Sequence, residues 1–242
     1  MTQLSKLKSL ALNNFRIHRH KLSVISCKQK NVGENSYVDP TVQVLGWENV
    51  RIGSNSILSE STWININHRE EGKIGLIIGN NCFIGRRNFF SPGIVIKIGD
   101  YCLTAPNCSF LGSDHIYSSP FKPYIATGTT EDGAIELGAN CWLGANVTVL
   151  KGVKIGYGSI IGASTVVNRD VPPFSMVVGN PCRVIKRFDM QQQSWVSAKD
   201  YSEENDQDLM SEAEYIEILS QTEVNMNGVR IASSKVFGDL LV

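Results

Sequence analysis

A parallel β-helix, an all-β fold of stacked triangular coils, is predicted by three features that repeat every six residues from Leu137 to Val167. An aliphatic residue takes the first place, a glycine that permits a turn takes the second place in four units, and a slim or β-branched residue takes the fifth. A half-exposed strand has period two and a helix about 3.6, so neither template fits. Three hexapeptides close one coil, which advances the chain by about 4.8 Å along the axis. The three places are occupied, in order, by Leu137, Leu143, Val149, Ile155, Ile161 and Val167; by Gly138, Gly144, Gly156 and Gly162; and by Cys141, Val147, Val153, Ser159 and Thr165.

The same spacing extends towards the N-terminus with interruptions. It begins at Val32, and two-residue slips reset the frame before Ile52 and before Ile98. Residues 65–77 break the pattern as an insertion at a coil corner would. The repeat resumes after each interruption, which predicts a single β-helix.

The longest break covers residues 110–134. Glycine and proline punctuate this segment, and no periodicity is visible between the regular coils on either side. Long loops in compact folds often hold functional residues. The tripeptide Ser113-Asp114-His115 near its start makes it the candidate functional loop.

Three regions follow from these patterns. Residues 1–31 form a basic flank, 32–188 the β-helix domain, and 189–242 an acidic extension that holds a helix near a capping box at Ser211. Because proline cannot donate to a strand ladder, Pro172-Pro173 predicts that the coil ends there. In the basic flank, residues 4–11 have the leucine spacing of a short amphipathic helix.

Composition narrows the classes of function. The formal net charge is zero, which argues against a general nucleic-acid binder. No apolar run reaches the ~18 residues of a membrane span, and no secretory signal follows the first lysines. Cysteines at the slim fifth place predict packing rather than disulfides, so we expect a cytoplasmic protein. These cysteines are Cys82, Cys102, Cys108 and Cys141.

Histidine is scarce in the repeat region, where only His68 and His115 occur. A zinc site on a β-helix needs three imidazoles from adjacent coils, and no Cys–His spacing replaces them. The sequence therefore predicts no metal. His115 has the stronger context as a catalytic group, and His68 is the rival base.

Residues 135–187 resemble the hexapeptide-repeat acyltransferases, in the branch of sugar and polysaccharide O-acetyltransferases. The motifs that match are Trp142-Leu143-Gly-Ala, Gly162-Ala163, Asn168 to Pro173, and Gly179 to Lys186. The resemblance extends over about residues 32–188. It implies a left-handed coil, a homotrimer with active sites between subunits, and acetyl-CoA as co-substrate.

The resemblance assigns His115 as the general base. An unperturbed imidazole titrates near pH 6.5, so it can accept a hydroxyl proton at neutral pH. Asp114 could orient His115 or merely shape the turn, and the sequence does not separate these roles. Asn88 takes a fifth place, where an amide is out of character, and it roughly matches an acceptor-binding asparagine of the family.

The family's cofactor positions map onto seven further residues. An aromatic residue packs along the pantetheine arm, small residues let the arm approach the backbone, and amide and cationic side chains lie near the adenosine phosphates. Lys186 departs from the arginine frequent at its position, which puts bidentate binding there in doubt. The matching residues are Trp142, Ala145, Ala163, Asn168, Arg169, Arg183 and Lys186.

The predicted function is acetyl transfer from acetyl-CoA to a sugar hydroxyl of a surface polysaccharide, either capsule or O-antigen. The basic flank favours a large acceptor, such as a sialic acid polymer. The alternatives are N-acetylation of an amino-sugar nucleotide, acetylation of an antibiotic, and a non-catalytic scaffold.

Overall fold

The computed structural model describes residues 26, 27, 30–224 and 226. Within this part of the chain, twenty strands wind into the three faces of a left-handed parallel β-helix, which confirms the predicted fold class. The amphipathic helix predicted for residues 4–11 lies outside the described residues. So does nearly all of the final stretch, 225 and 227–242.

The secondary structure is short and regular, because every hexapeptide supplies one strand and one corner. The strands are β1 (Tyr37–Val38), β2 (Gln43–Leu45), β3 (Val50–Ile52), β4 (Ile57–Leu58), β5 (Trp63–Asn65), β6 (Leu76–Ile78), β7 (Phe83–Ile84), β8 (Phe89–Ser91), β9 (Ile96–Ile98), β10 (Leu103–Thr104), β11 (Ser109–Leu111), β12 (Ile135–Leu137), β13 (Trp142–Leu143), β14 (Thr148–Leu150), β15 (Lys154–Ile155), β16 (Ile160–Ile161), β17 (Val166–Val167), β18 (Ser175–Val178), β19 (Arg183–Asp189) and β20 (Ser194–Ser197). Three 3-10 helices span Trp47–Asn49, Tyr124–Ala126 and Glu203–Asp208, and helix α1 spans Glu212–Ser220.

Each face is one sheet. Sheet A has the order β15-β12-β9-β6-β3, sheet B the order β1-β4-β7-β10-β13-β16-β18-β19-β20, and sheet C the order β17-β14-β11-β8-β5-β2. The chain passes from B to C to A in every coil. Trp142 pairs with Ile160, which gives an 18-residue coil, whereas Phe83 pairs with Leu103, 20 residues later. The longer coil contains the predicted two-residue slip.

Side chains at the fifth place do more than fill the narrow interior. Ser56 Oγ donates to the carbonyl of Gly79 at 2.8 Å, and Cys82 Sγ approaches the carbonyl of Gly99 at 3.1 Å. Thr62 Oγ1 donates to the carbonyl of Gly85 at 3.2 Å, again one coil further on. Small donors therefore satisfy buried carbonyls along the axis, which explains why serine, threonine and cysteine recur at this place.

The role predicted for the second-place glycines was wrong. The positive-φ corner residue is at the fourth place, as at Asn140 (φ 54°) and Asn146 (φ 59°), and asparagine tolerates this conformation. A Cβ on Gly144 would lie 2.6 Å from the backbone nitrogen of Ala163, in the next coil. These glycines are needed because successive coils approach each other closely, and not because they turn the chain.

The coil continues one strand beyond the predicted end. Pro172-Pro173 lies at the corner between sheets A and B, and β18 still pairs in parallel with β16. The prolines need no ladder donor at this corner. The chain then reverses, and β19 and β20 extend sheet B in antiparallel fashion.

We expect the cysteines of the coil not to react with a thiol reagent while the protein is folded. Burial raises the pKa of the Cys108 thiol to about 11, and burial also raises the pKa values of Cys82 and Cys102. A neutral buried thiol is a poor nucleophile. Titration with a chromogenic disulfide should give about six thiols in denaturant and only one or two in the native state. Fast native reaction of four or more thiols would contradict the buried ladder.

Candidate active site

Both insertions emerge at the same corner of the β-helix, between sheets C and A. Residues 66–75 connect β5 to β6, and residues 112–134 connect β11 to β12. We call them the short loop and the long loop. Two side chains of the short loop, His68 and Lys73, reach the long loop, so the two loops form one surface.

His68 is the centre of this contact. Its Nδ1 lies 2.7 Å from Glu131 Oε1, and its Nε2 lies 3.2 Å from the carbonyl oxygen of Thr130 and 3.1 Å from Thr129 Oγ1. The imidazole side chain is 20% exposed. Both ring nitrogens are therefore engaged, and the ring clamps the returning arm of the long loop to the short loop.

A lysine completes the clamp. Lys73 Nζ donates to Glu131 Oε2 at 2.8 Å. This hydrogen bond is the main reason that the pKa of Lys73 lies above its ordinary value and the pKa of Glu131 below its ordinary value. Glu131 is therefore a carboxylate at neutral pH, and it lies between Lys73 Nζ and the ring of His68.

His115 lies on the outgoing arm of the long loop. Its backbone forms an antiparallel bridge with Thr129, the residue whose hydroxyl contacts His68. The His115 side chain is exposed, and its ring makes no hydrogen bond or ion pair with another described residue. The bridge fixes the backbone while the imidazole remains free to meet a ligand.

Asp114 forms an ion pair with Lys151 rather than a contact with His115. Its Oδ2 lies 3.0 Å from Lys151 Nζ, which also lies 3.3 Å from Asp132 Oδ2. These carboxylates raise the pKa of Lys151, with the hydrogen bond to Asp114 as the largest cause. The contact ties the long loop to the next coil. Orientation of His115 by Asp114 stays a prediction.

Asn88 lies inside the coil and is only 1% exposed. Its Oδ1 accepts the backbone N–H of Cys108 at 2.7 Å, and its Nδ2 donates to the carbonyl of Gly85 at 2.7 Å and to Thr104 Oγ1 at 3.0 Å. The amide connects two coils from within. An acceptor contact by Asn88 also stays a prediction.

The residues predicted for the pantetheine arm lie together. Trp142 is on the outer surface of sheet B, with its side chain 50% exposed. Ala145 follows β13 and Ala163 follows β16, so the two stack in successive coils at the corner between sheets B and C. This strip has small side chains beside one aromatic platform, and a slender chain could lie against it.

The predicted phosphate ligands follow the last strands of the coil. The side chains of Arg169, Arg183 and Lys186 are exposed and make no ion pair with a described carboxylate. Asn168 Oδ1 accepts a weak hydrogen bond from Cys182 Sγ at 3.5 Å. Three cations without an anionic partner could attract phosphates. They are exposed, so each single contact is screened by solvent.

Two structural features are absent among the described residues. These residues include no group of three or more His, Cys, Asp or Glu side chains that could hold a metal ion. No helix among them is long and apolar enough to cross a membrane.

The clamp between the loops was not predicted from the sequence. His68 and Glu131 are 63 positions apart, and each lies in a segment without periodicity. Both insertions follow a sheet C strand, and two coils, β6 to β8 and β9 to β11, lie between them. Counting faces along the chain would therefore have placed them at one corner.

Comparisons with known proteins agree with this architecture. A family model described as bacterial transferase hexapeptide (six repeats) matches residues 134–169. The galactoside O-acetyltransferase of Escherichia coli strain K12 is 30% identical over 155 residues, 61% of this chain and 71% of that protein. A "Putative acetyltransferase" of Staphylococcus aureus strain Mu50 is 42% identical over 113 residues, 46% of this chain. The match spans about half the length, 55%, of that relative.

A solved structure shares the fold at low identity. It is a mutant of AntD, an N-acyltransferase from Bacillus cereus, in complex with dTDP and coenzyme A. It aligns with a TM-score of 0.57 and 18% identity over 69% of this chain and 90% of that chain. With the repeat match and the similarity across most of the Escherichia coli enzyme, the assignment is plain. The chain belongs to the family of hexapeptide-repeat acyltransferases.

Proposed function

We propose that the protein is an acetyl-CoA-dependent O-acetyltransferase that acts on a sugar hydroxyl, with His115 as the general base. The observation that supports this most directly is the state of its imidazole. It is exposed, its ring has no partner among the described residues, and it lies on a loop whose two arms are bridged at Thr129. A base must be free to take a proton yet held in place, and His115 meets both conditions.

The contacts of His68 argue against it as the base. Carbonyl and carboxylate oxygens lie against its two ring nitrogens, so neither nitrogen is free to take a proton from the acceptor hydroxyl. In the proposal, His68 holds the arm of the long loop that pairs with the backbone of His115. This makes His68 a positioning residue.

The proposed reaction is a direct transfer. The imidazole of His115 removes the proton of the acceptor hydroxyl while the oxygen attacks the thioester carbonyl of acetyl-CoA. The carbon–sulfur bond then breaks, and the proton on His115 passes to the leaving thiolate. The products are an acetyl ester and free CoA. A backbone N–H at a coil corner holds the charge that develops on the carbonyl oxygen.

The surface of sheet B supports a place for the co-substrate. The pantetheine arm passes Trp142 along the strip formed by Ala145 and Ala163, and the cationic side chains after the coil meet the phosphates. Arg183 supplies a planar fork for phosphate oxygens, whereas Lys186 supplies a point charge.

The proposal includes a homotrimer with each active site between two subunits. The long loop supports it, because Phe121 is 94% exposed, Ile125 89% and Tyr117 69% in the single chain. Neighbouring apolar side chains this exposed mark an interaction surface. A second subunit that covers the loop brings His115 towards the pantetheine strip of its neighbour.

The proposal extends to the acceptor and to the cellular compartment. The acceptor belongs to a capsule or O-antigen polysaccharide, and a sialic acid polymer remains one candidate. Six free cysteines support a reducing, cytoplasmic compartment. The similarity to galactoside O-acetyltransferase favours a sugar hydroxyl over an amino group or an antibiotic.

Release of free thiol from acetyl-CoA tests the proposal against its alternatives. The acceptors are a sialic acid polymer, neutral capsule oligosaccharides, a galactoside, an amino-sugar nucleotide and chloramphenicol. We expect acceptor-dependent release with at least one saccharide that has no free amine. Release with the amino-sugar nucleotide or chloramphenicol alone would identify a different transferase. Absence of release with all five, together with no retention on a CoA matrix, would indicate a scaffold.

A further inference from the structure

A groove of about 510 Å³ lies on the outer surface of sheet B, between the last coils and the C-terminal extension. Its coil side includes Asn140 and Trp142, and its other side includes Phe188 and Trp195 of the antiparallel strands and Tyr215 of α1. Pantetheine is assigned to the opposite side of Trp142, where Ala145 lies. Neither Ala145 nor Ala163 lines the groove.

The extension is anchored so that the groove is preformed. Glu212 Oε1 accepts the backbone N–H of Ala139 at 2.6 Å, which fixes the start of α1 on the corner between sheets A and B. The amide of Asn140 donates to the hydroxyl oxygen of Tyr215. At the hairpin, Arg187 Nη2 lies 2.6 Å from Asp206 Oδ1, and its guanidinium lies 4.5 Å from the ring centre of Tyr201. These bonds hold both walls of the groove.

The lining is mostly apolar and uncharged. It includes two tryptophans, two phenylalanines, a tyrosine, and the four aliphatic side chains of Ile160, Met190, Met210 and Ile218, but no charged side chain. Polar groups are present at the amides of Asn140 and Gln193. The indole N–H groups of Trp142 and Trp195 donate to no other described residue. Pockets of aromatic surface with a few polar groups bind and orient small ligands.

This balance fits one chemical class. The C–H faces of a pyranose ring pack on aromatic rings, while its hydroxyls take up indole N–H donors and amide oxygens. A phosphate or carboxylate would enter an apolar groove without a cation, which carries a desolvation cost. A purely aliphatic ligand would leave the free donors unused. A neutral sugar satisfies both parts of the lining.

We propose that this groove binds a neutral sugar unit of a polymeric acceptor, at a distance from the unit that is acetylated. The inference rests on the proposed acetyl transfer and specifies its acceptor as a chain of sugars. His115 follows a strand of sheet C, whereas the groove lies on sheet B, so the groove is an outer subsite. It should lower the KM for oligosaccharides and leave the KM for a monosaccharide unchanged.

Direct binding tests the groove without acetyl-CoA. Ligand-observed NMR with the full chain measures Kd for tetramers of maltose type, cellulose type, N-acetylglucosamine and α2,8-linked sialic acid. We expect at least one neutral tetramer to bind, at least 10-fold weaker binding in Trp195→Ala, and weaker binding in the rim variant Gln193→Ala. Trp63→Ala is the matched control. Its indole is 45% exposed on sheet C, away from the groove, and this variant should bind as the native chain does.

Several outcomes would overturn the subsite. These are binding of none of the neutral tetramers, binding of the sialic acid tetramer alone, or equal loss in Trp195→Ala and Trp63→Ala. The binding assay contains no acetyl-CoA, so it is independent of acetyl transfer, which thiol release measures. Glycan binding without acetyl transfer would refute the proposed enzyme and leave the groove. Acetyl transfer without glycan binding in the groove would refute the groove alone.

Discussion

Replacement of His115 by alanine should lower kcat for acetyl transfer by about 10²- to 10⁴-fold, the usual contribution of a general base. His115→Gln should lose as much, because an amide cannot take the hydroxyl proton. The side chain is exposed and has no partner among the described residues, so thermal unfolding should be unchanged in both variants. Steady-state thiol release with a saccharide acceptor measures the loss.

His68→Gln is the matched control. Its side-chain amide can keep one of the contacts that the two ring nitrogens make, so the clamp is partly retained and the loss should stay within about 10-fold. His68→Ala should lose more activity than His68→Gln, since it releases the arm of the long loop that carries Glu131. Near-native activity in His115→Gln combined with a 10²-fold loss in His68→Gln would reverse the assignment of the base.

Asn88→Ala should produce the largest loss of stability among the residues discussed. It leaves the buried N–H of Cys108 without a partner, whereas the carbonyl of Gly85 keeps the hydroxyl of Thr62. An unsatisfied buried group costs about 1–3 kcal/mol, so the free energy of unfolding should fall by about that amount. Urea unfolding at equal protomer concentration measures this change, since subunit association also contributes.

Gln43→Ala provides a surface comparison. Gln43 is exposed on β2, and its replacement should change the free energy of unfolding by no more than about 0.5 kcal/mol. Native stability of Asn88→Ala with a raised KM for the acceptor would mean that Asn88 contacts the acceptor, as the family resemblance suggests.

The sequence predicted the fold well because a β-helix repeats one short pattern. Each hexapeptide supplies one strand and one corner, so the period, the slips and both insertions could be recognised in the sequence. The role of Gly144 was not readable, because close approach and turn formation both favour glycine, and only the next coil distinguishes them. The end of the coil was placed one strand early for a similar reason, since Pro173 occupies a corner that needs no donor.

The candidate site was only partly predictable. His115, Trp142 and the terminal cations were assigned from a family resemblance that fixes positions along the chain. The clamp of His68 on Glu131 depends on two irregular segments that meet in space, and no periodicity signals such a contact. The groove depends on how α1 and the hairpin return to the coil. The acidic composition of that extension gave no sign that Trp195 and Tyr215 would join Trp142.

The proposed function depends on the formation of an acetyl ester on a saccharide. Mass spectrometry of a neutral capsule oligosaccharide and a sialic acid oligomer, each incubated with the full chain and acetyl-CoA, tests it most directly. We expect an acceptor heavier by one acetyl group, which mild alkali removes as it does an ester. The product should be absent when His115→Gln replaces the native chain. An alkali-stable acetyl group would rule out O-acetylation, and ester formation undiminished in His115→Gln would rule out His115 as the base.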